Sequence, residues 1–310
     1  MPAGTAVSGR GIGRRRLGLA ASAPLLASAL ALGTLATPTS ARLNGAPGGV
    51  APPPVLQLSS PPLGADVSYP ECGGSLPVGQ AFMVVGVNGG LASVENPCLA
   101  FELGWAVYRT VGRGGLPPAS LYLNTGDPGN SYDGQPVTDW PESGDSPLGS
   151  CLPTVAGPHL RGPGQNSAAC SWEYGYLKVE QDLIWLRAAA SRDGVPGEAA
   201  AYPVWLDVET SNTWQAGTSL NVADLDGMVA ALHQAGVHQV GVYAAPSGWR
   251  EITGAGTNPA SAALYPLPDW VLGVGSLRDA KRNCQDTPIT GGPVLLAQFL
   301  PGGVDADYAC

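Results

Sequence analysis

Short apolar runs alternate with amphipathic stretches along most of this chain after residue 80. Six runs have the length and composition of strands buried in a sheet, and they span residues 81–87, 121–124, 202–207, 239–243, 269–274 and 293–299. Apolar residues at helical spacing lie between them and predict helices over residues 97–109, 172–190 and 221–235.

Strands that alternate with helices predict a parallel sheet with right-handed crossovers. We therefore predict an α/β fold, a parallel (β/α) barrel of the TIM type held by disulfides. Residues 67–310 come close to the ~250 residues that are typical of such barrels. Because the pattern shows only six strands, the barrel is predicted to be modified or incomplete.

Residues 130–169 interrupt this alternation. Gly, Pro, Ser and Asp dominate the segment, and it shows no periodic element. A loop of this length is usually functional or mobile. We predict a long loop that is stapled by a disulfide.

The start of the chain differs from the rest. Arg14, Arg15 and Arg16 precede a run of Ala and Leu from Leu17 to Leu35, and small residues follow up to Ala41. This pattern predicts a secretory signal peptide over residues 1–41, and an uncleaved membrane anchor is the alternative. Residues 42–66 are rich in Pro and Gly and predict a linker, which leaves residues 67–310 as one barrel domain.

The charge of the exported protein would be strongly negative. The formal net charge is −9, and all 24 acidic residues lie at Asp66 or later. Removal of residues 1–41 would take away four arginines and lower the charge to −13. Such a surface repels phosphate backbones and anionic lipid, so we expect no nucleic-acid partner and no membrane partner after signal cleavage.

Six cysteines follow the predicted signal peptide. An even number in an exported chain indicates disulfides, and fifteen pairings are formally possible. We favour sequential pairing because each bridge then closes a local loop: Cys72 with Cys98, Cys151 with Cys170, and Cys284 with Cys310. A zinc site is the rival interpretation, and the lack of any Cys-x-x-Cys spacing disfavours it.

Two acids follow the apolar run at residues 202–206. Side chains two residues apart on a strand share one face, so Asp207 and Glu209 would have Cα atoms roughly 6.6 Å apart. The ends of parallel strands form the mouth where barrels bind ligands, and neighbouring carboxylates raise one another's pKa. One carboxyl could then stay protonated while the other is ionised. Asp-x-Glu is nevertheless a short pattern that does not settle function alone.

The order of the strand-end motifs resembles glycoside hydrolase family 25. The resemblance rests on Asp207-Val208-Glu209, on the sequence Val-Tyr-Ala-Ala-Pro-Ser-Gly-Trp at residues 242–249, and on Ala297-Gln298-Phe299 followed by Val304-Asp305. It extends from about residue 81 to residue 307. The chain looks still closer to glycoside-hydrolase-like domains of unknown function in secreted actinobacterial proteins.

Enzymes of that family are lysozymes that cleave the β-1,4 bond of peptidoglycan after N-acetylmuramic acid. The resemblance implies that Glu209 is the general acid and that Asp207 assists the N-acetyl group of the substrate. It also matches Tyr243 and Asp305 to a tyrosine and an acid of the family's site, and it implies no metal or cofactor. The expected partner is a cell-wall glycan, and the expected protein is a secreted or wall-associated monomer.

One feature departs from the family. The family's first strand usually ends in an aspartate, and the apolar runs place Asn88 there, which carries no charge. Either another acid such as Asp127 or Asp305 completes a hydrolase, or the barrel is a noncatalytic glycan-binding protein. Glycan contacts are expected from Asn88, Asn124, Trp214, Tyr243, Gln298 and Asp305, and a structural hydrogen-bonding role is the equal alternative for Asn124 and Gln298.

Overall fold

A computed structural model describes residues 63–110, 117–154, 162–256, 259–272 and 275–310. The predicted signal peptide at residues 1–41 lies outside the described residues, as does most of the predicted linker. Within the described ranges, no helix has the length and apolar character needed to cross a membrane.

Eight strands form a closed barrel. In spatial order they are β1 (Leu63–Val67), β12 (Ala306–Ala309), β11 (Val294–Phe299), β10 (Asp269–Val271), β9 (Val240–Ala244), β8 (Val204–Asp207), β3 (Ala119–Asn124) and β2 (Met83–Gly86). Seven strands run parallel, and β12 pairs antiparallel with β1 and with β11. The segment between β11 and β12 is too short for the crossover that a parallel pair needs. The predicted α/β barrel is therefore confirmed in a modified form.

Five helices accompany the strands: α1 (Leu99–Arg109), α2 (Ala168–Asp193), α3 (Thr218–Gln234), α4 (Pro246–Thr253) and α5 (Leu277–Asn283). The three predicted helices are confirmed, and α2 is longer than predicted at both ends. The Ser167 hydroxyl accepts a hydrogen bond from the Cys170 backbone N–H at the start of α2, and Gly194 ends the helix at φ 68°.

The first strand of the barrel is not the one that the apolar pattern predicted. β1 begins at Leu63, within the segment predicted as a linker, and the run at residues 81–87 forms the second strand. Because β1 contains a glycine and an alanine, a search for apolar runs does not detect this strand. A side chain at Gly64 would meet the Phe82 ring, because a Cβ there would lie 2.3 Å from the nearest ring atom.

The segment predicted as a long loop contains two small hairpins in its described part. One pairs β4 (Ser131–Tyr132) with β5 (Gln135–Pro136), and the other pairs β6 (Gly144–Ser146) with β7 (Gly149–Cys151). Strands of two or three residues are too short to show a period. The first hairpin turns at Asp133 and Gly134, both at positive φ, as a two-residue type I′ turn requires.

The three predicted disulfides are confirmed. Their Cα atoms lie 5.6 Å apart in Cys72–Cys98, 4.5 Å apart in Cys151–Cys170 and 5.5 Å apart in Cys284–Cys310. The second bridge joins the β6–β7 hairpin to the first turn of α2. Beside it, Trp140 stacks on Tyr174 with ring centroids 5.2 Å apart. The stapled segment thus has a small core of its own.

Aromatic side chains fill the barrel interior beneath its carboxyl-end mouth. Trp270 is central to this packing, with its ring centroid 4.4 Å from that of Tyr243 and 6.0 Å from that of Trp205. All three residues are buried. They pack across the barrel interior below the strand ends.

Glu102 lies away from the barrel mouth, and its ionisation provides a test of the fold. It is fully buried on α1; its Oε2 accepts a hydrogen bond from Asn96 Nδ2 at 2.7 Å, and its Oε1 has no partner among the described residues. Burial raises its pKa from 4.5 to about 7, and the Asn96 bond partly offsets that rise. A raised pKa in the folded state stabilises the protein below pH 4.5, and this contribution disappears as the pH rises through about 7.

The free energy of unfolding of the wild type should fall between pH 5 and pH 8 as Glu102 ionises. In Glu102→Gln, which cannot ionise, we expect this fall to be smaller by about 1–3 kcal/mol. Urea unfolding of both proteins at the two pH values measures the difference. The other buried acids are common to both proteins and serve as the internal control. Equal losses in the two proteins would contradict the raised pKa.

Candidate active site

A cavity of about 260 Å³ opens at the end of the barrel where the parallel strands finish. We name it the acid cavity because four carboxylic acids lie in its wall. Its lining consists of Asp66, Tyr122, Asp207, Glu209, Tyr243, Trp270, Leu272, Gln298, Leu300 and Asp305. These residues come from seven strands or strand ends, so the closed barrel is what brings them together.

Asp207 ends β8, beside Tyr243 in the register of the neighbouring strand β9. The Thr125 hydroxyl donates to the Asp207 carbonyl oxygen at 2.6 Å, which fixes this strand end from the β3 side. The Asp207 side chain is 5% exposed, and its Oδ1 has no hydrogen-bond partner in the described part of the chain. A buried acceptor without a donor is a site where a ligand N–H or O–H could bind.

Glu209 follows two residues later and is partly exposed. The Ser211 hydroxyl lies 3.5 Å from Glu209 Oε2, and the Trp214 indole N–H donates to the Glu209 carbonyl oxygen at 2.8 Å. Asp207 and Glu209 line the same cavity, as the spacing predicted. Trp214 supports the loop that carries Glu209, and it is not part of the cavity lining.

Burial raises the pKa of both acids. The pKa of Asp207 lies well above its usual value, mainly because of desolvation and further because of the charges of Glu209 and Asp66. Desolvation also raises the pKa of Glu209; the Ser211 hydroxyl opposes the rise, and the charge of Asp305 adds to it. The pair therefore retains a proton at pH values where an ordinary glutamate has lost it.

Asp66 is a cavity residue that the sequence analysis missed. It lies on β1, where Gln298 Nε2 donates to its Oδ2 at 3.1 Å and the Tyr243 hydroxyl donates to Gln298 Oε1 at 2.8 Å. Desolvation raises the pKa of Asp66 to about 7, against the lowering effect of the Gln298 bond. Asp66, and not Asn88, is thus the polar residue that the barrel's first strand brings to the cavity.

Asp307 on β12 was also missed, and it lies behind Asp66. It is fully buried; Trp270 Nε1 donates to its Oδ1 at 2.8 Å, and its Oδ2 has no partner among the described residues except the carboxyl of Asp66, with which it can share a proton. Desolvation raises the pKa of Asp307 well above the usual range, and the charge of Asp66 and the bond to it raise it further. The bond to Asp307 lowers the pKa of Asp66. The two acids titrate as a pair, in which the more deeply buried Asp307 keeps its proton to higher pH than Asp66.

Three predicted site residues line the acid cavity together: Tyr243, Gln298 and Asp305. Gln298 connects the other two, because its Oε1 accepts from Tyr243 and its Nε2 lies 3.5 Å from Asp305 Oδ2. Desolvation raises the pKa of Asp305, and the charge of Glu71 adds to the rise.

The structure does not bring Asn88 and Asn124 into the lining of this cavity. Asn88 Oδ1 accepts from the Asn124 backbone N–H at 2.6 Å, and Asn88 Nδ2 donates to the Asn124 carbonyl oxygen at 3.1 Å. Asn88 Nδ2 also lies 3.5 Å from both carboxylate oxygens of Asp182 on α2. Both asparagines are buried, so they connect the ends of two strands to a helix.

Asp127, which the sequence offered as another acid, is likewise outside the acid cavity. It is fully buried, and its Oδ2 accepts from Gln215 Nε2 at 2.8 Å. Desolvation raises its pKa to about 6, and the bond from Gln215 partly opposes the rise. Through these partners, Asp127 helps to hold the loops that follow β3 and β8.

We expect Asn88→Ala to lower the free energy of unfolding by about 1–3 kcal/mol, because it leaves the buried Asn124 N–H without its acceptor. KM and kcat of the folded protein should stay close to those of the wild type. Urea unfolding measures the first effect and steady-state kinetics measures the second. Gln285→Ala, which removes an exposed amide, is the control. A raised KM with unchanged stability would instead assign Asn88 to the glycan.

Comparison with known proteins relates one segment of the chain to a known family. A family model described as lysozyme-like protein 1 matches residues 197–286, which include β8, Asp207, Glu209, β9 and β10. The predicted resemblance to a lysozyme-like glycoside hydrolase domain is thereby confirmed over this segment, which is less than half of the chain. No curated protein matches the sequence.

Several solved structures are similar in fold. A muramidase from Trichobolus zukalii has a TM-score of 0.45 at 14% identity, over 80% of this chain and 93% of that chain. A lysozyme from Streptomyces coelicolor has a TM-score of 0.45 at 16% identity, over 81% and 93% of the two chains. The spore cortex lytic enzyme SleM from Clostridium perfringens has a TM-score of 0.43 at 14% identity, over 81% and 67%.

Proposed function

We propose that this chain is an exported, lysozyme-like glycoside hydrolase that cleaves cell-wall peptidoglycan or a related N-acetylated glycan. The observation that carries the proposal is the acid cavity, where Asp66, Asp207, Glu209 and Asp305 meet at the barrel mouth. The lysozyme-like match over residues 197–286 supports the same class of enzyme. Three disulfides within the barrel domain are typical of exported proteins.

Glu209 is the general acid in this proposal. Its pKa is raised, so its carboxyl can keep a proton until it donates that proton to the leaving glycosidic oxygen. Glu209 is also partly exposed, which allows water to reach it and restore the proton after each turnover.

Asp207 assists the N-acetyl group of the substrate. Its Oδ1 is buried and has no partner among the described residues, so an acetamido N–H could donate to it. A hydrogen bond to the ionised carboxylate lowers its pKa. Substrate binding would therefore move the proton shared by the pair toward Glu209, where general acid catalysis requires it.

Asp66 stabilises the positive charge that develops on the sugar ring. Gln298 and Tyr243 orient its carboxylate, and the bond from Asp307 favours its ionised form. The noncatalytic alternative rests on Asn88, an uncharged residue at the end of the first apolar run, where the family usually has an acid. Asp66 supplies a carboxylate from that strand and so favours the hydrolase.

The test is release of new reducing ends from purified peptidoglycan and from N-acetylglucosamine oligomers by residues 42–310. Turnover of either glycan above a boiled control is the expected result. If the protein sediments with cell walls but releases no reducing ends from any glycan, it is a noncatalytic glycan-binding protein and the proposal is wrong.

A further inference from the structure

The loop after β8 leaves the edge of β3 and returns to it. The parallel pairing of β3 with β8 ends at Asn124 and Asp207, and the two chains meet again in a parallel bridge between Asp127 and Trp214. Residues 208–213 lie between these two points, and we name them the acid loop because they carry Glu209.

Both ends of the acid loop are attached to the segment that follows β3. At the first end, the Asp207 carbonyl oxygen accepts from the Thr125 backbone N–H at 3.2 Å and from the Thr125 hydroxyl at 2.6 Å. At the second end, the Asp127 backbone N–H donates to the Thr213 carbonyl oxygen at 2.9 Å. The two ends therefore cannot move apart without losing hydrogen bonds to one and the same segment.

Buried side chains fix the second end further. Gln215 Nε2 donates to Asp127 Oδ2 at 2.8 Å and to the Ser171 hydroxyl of α2 at 3.0 Å. Asn221 of α3 accepts from the Gln215 backbone N–H at 3.2 Å and donates to its carbonyl oxygen at 3.0 Å. Asp127, Ser171 and Asn221 are all buried, so Gln215 is held from three elements at once.

Trp214 transmits this fixed position to Glu209. Its indole N–H donates to the Glu209 carbonyl oxygen at 2.8 Å, and the Asn212 backbone N–H donates to the same oxygen at 3.1 Å. Both lone pairs of that oxygen are thus used. Before Glu209, the Val208 N–H donates to the Tyr243 carbonyl oxygen of β9 at 2.8 Å. The backbone is therefore fixed on both sides of Glu209.

The Glu209 carboxylate itself is held weakly. In the described part of the chain, its hydrogen-bond contact is the Ser211 hydroxyl at 3.5 Å, which is long for such a bond. The backbone must then determine where the carboxyl lies. A general acid has to reach the leaving oxygen at about 3 Å, and a misplacement of about 1 Å can cost roughly 100-fold in rate.

We infer that Trp214 is a positioning residue for Glu209, and that Asp127 acts through Trp214 by holding the end of the acid loop from which the indole reaches the Glu209 carbonyl oxygen. The inference rests on the proposed function, because it makes Glu209 the group that must be positioned. It assigns Trp214 to the reaction through Glu209 and not through contact with the glycan.

The first experiment measures kcat and KM of residues 42–310 on purified peptidoglycan. Trp214→Phe keeps an aromatic ring against the core and loses only the donor. Its kcat should fall about 10–100-fold, while KM stays within about twofold of the wild type. Trp105→Phe is the matched control, because it removes an indole bond to the Pro77 carbonyl oxygen on α1, outside the acid cavity, and its kcat should be unchanged.

Two kinetic results would overturn the inference. A raised KM with unchanged kcat in Trp214→Phe would place the indole on the glycan. Wild-type kcat and KM in a less stable Trp214→Phe would give the indole a purely structural role.

Asp127 variants test the step through Trp214. Asp127→Asn can still accept from Gln215 and should keep the wild-type kcat, whereas Asp127→Ala cannot and should lower kcat as Trp214→Phe does. Combined with Trp214→Phe, Asp127→Ala should cause little further loss, because both changes release the same carbonyl oxygen. Losses that multiply in the double variant would show that Asp127 acts independently of Trp214.

The last experiment needs no turnover. The ¹³C signal of the Glu209 carboxyl, identified by its loss in Glu209→Gln, is titrated in the wild type, in Trp214→Phe and in Trp105→Phe. Desolvation raises the pKa of Glu209, so a released acid loop that admits water should lower this pKa in Trp214→Phe alone. The titratable groups that face Glu209 are the same in all three proteins: Asp207, Tyr243 and Asp305.

This titration separates the inference from the proposed function. If no glycan is cleaved and the pKa of Glu209 still falls in Trp214→Phe, only the hydrolase proposal fails. An unchanged pKa of Glu209 in Trp214→Phe overturns the positioning role, whether or not a glycan is cleaved.

Discussion

Glu209→Gln is expected to lower kcat by about 10²–10⁴-fold on any glycan that the protein cleaves, because an amide has no proton to give to the leaving oxygen. Glutamine has almost the same shape as glutamate and can still accept the hydrogen bond from Ser211. Binding of the intact glycan should therefore be largely retained. Reducing-end release and calorimetric Kd measure the two effects on the same preparations.

Glu198→Gln is the matched control for this experiment. Glu198 is exposed and precedes β8, whereas Glu209 follows it, so the same chemical change is made at the opposite end of one strand. Its kcat should equal that of the wild type. If Glu209→Gln cleaves the glycan at the wild-type rate, the general acid is another residue of the acid cavity.

Asp207 and Glu209 could be predicted as a pair because their strand is easily recognised in the sequence. Residues 204–206 are apolar and buried, so the acids that follow them mark the strand end in the sequence. Parallel strands then place that end at the mouth. The family resemblance pointed to Tyr243 and Gln298, and each is the next-to-last residue of an apolar strand.

Asp66 and Asp307 could not be found in this way. Their strands are poor in large apolar residues, since β1 contains a glycine and an alanine and β12 contains two alanines. In β1 the Phe82 ring takes up the space that a side chain at Gly64 would need. A search for apolar runs passes over such strands. Asp66 did carry one signal, as the first acidic residue of the chain and the last residue of the segment assigned to a linker.

The order of the strands also determines which residue is compared with the family's first acid. Because residues 81–87 were counted first, Asn88 was compared with an acid that another strand supplies. In the structure Asn88 joins Asn124 and Asp182 in a buried polar cluster beside the mouth. Local sequence can rank strands by hydrophobicity, but only closure of the barrel by β1 and β12 fixes which strand comes first.

Asp66→Asn is expected to lower kcat by about 10²–10³-fold, because the substitution removes a preorganised negative charge from the place where positive charge develops. Asparagine can still accept the bond from Gln298 and hydrogen-bond Asp307, so the fold should be preserved. The wild-type kcat/KM should rise with pH up to about 7 as Asp66 ionises, and this rise should be absent from the variant.

Asp307→Asn is the matched control, because it makes the same change in the other acid of the pair. If Asp307 holds the proton, its carboxyl already acts as a neutral donor to Asp66 and as an acceptor from Trp270 Nε1. An asparagine amide can fill both functions, so kcat should change by less than about tenfold. Equal losses in the two variants would show that the charge is shared between them. A loss confined to Asp307→Asn would reverse the assignment and make Asp307 the ionised acid.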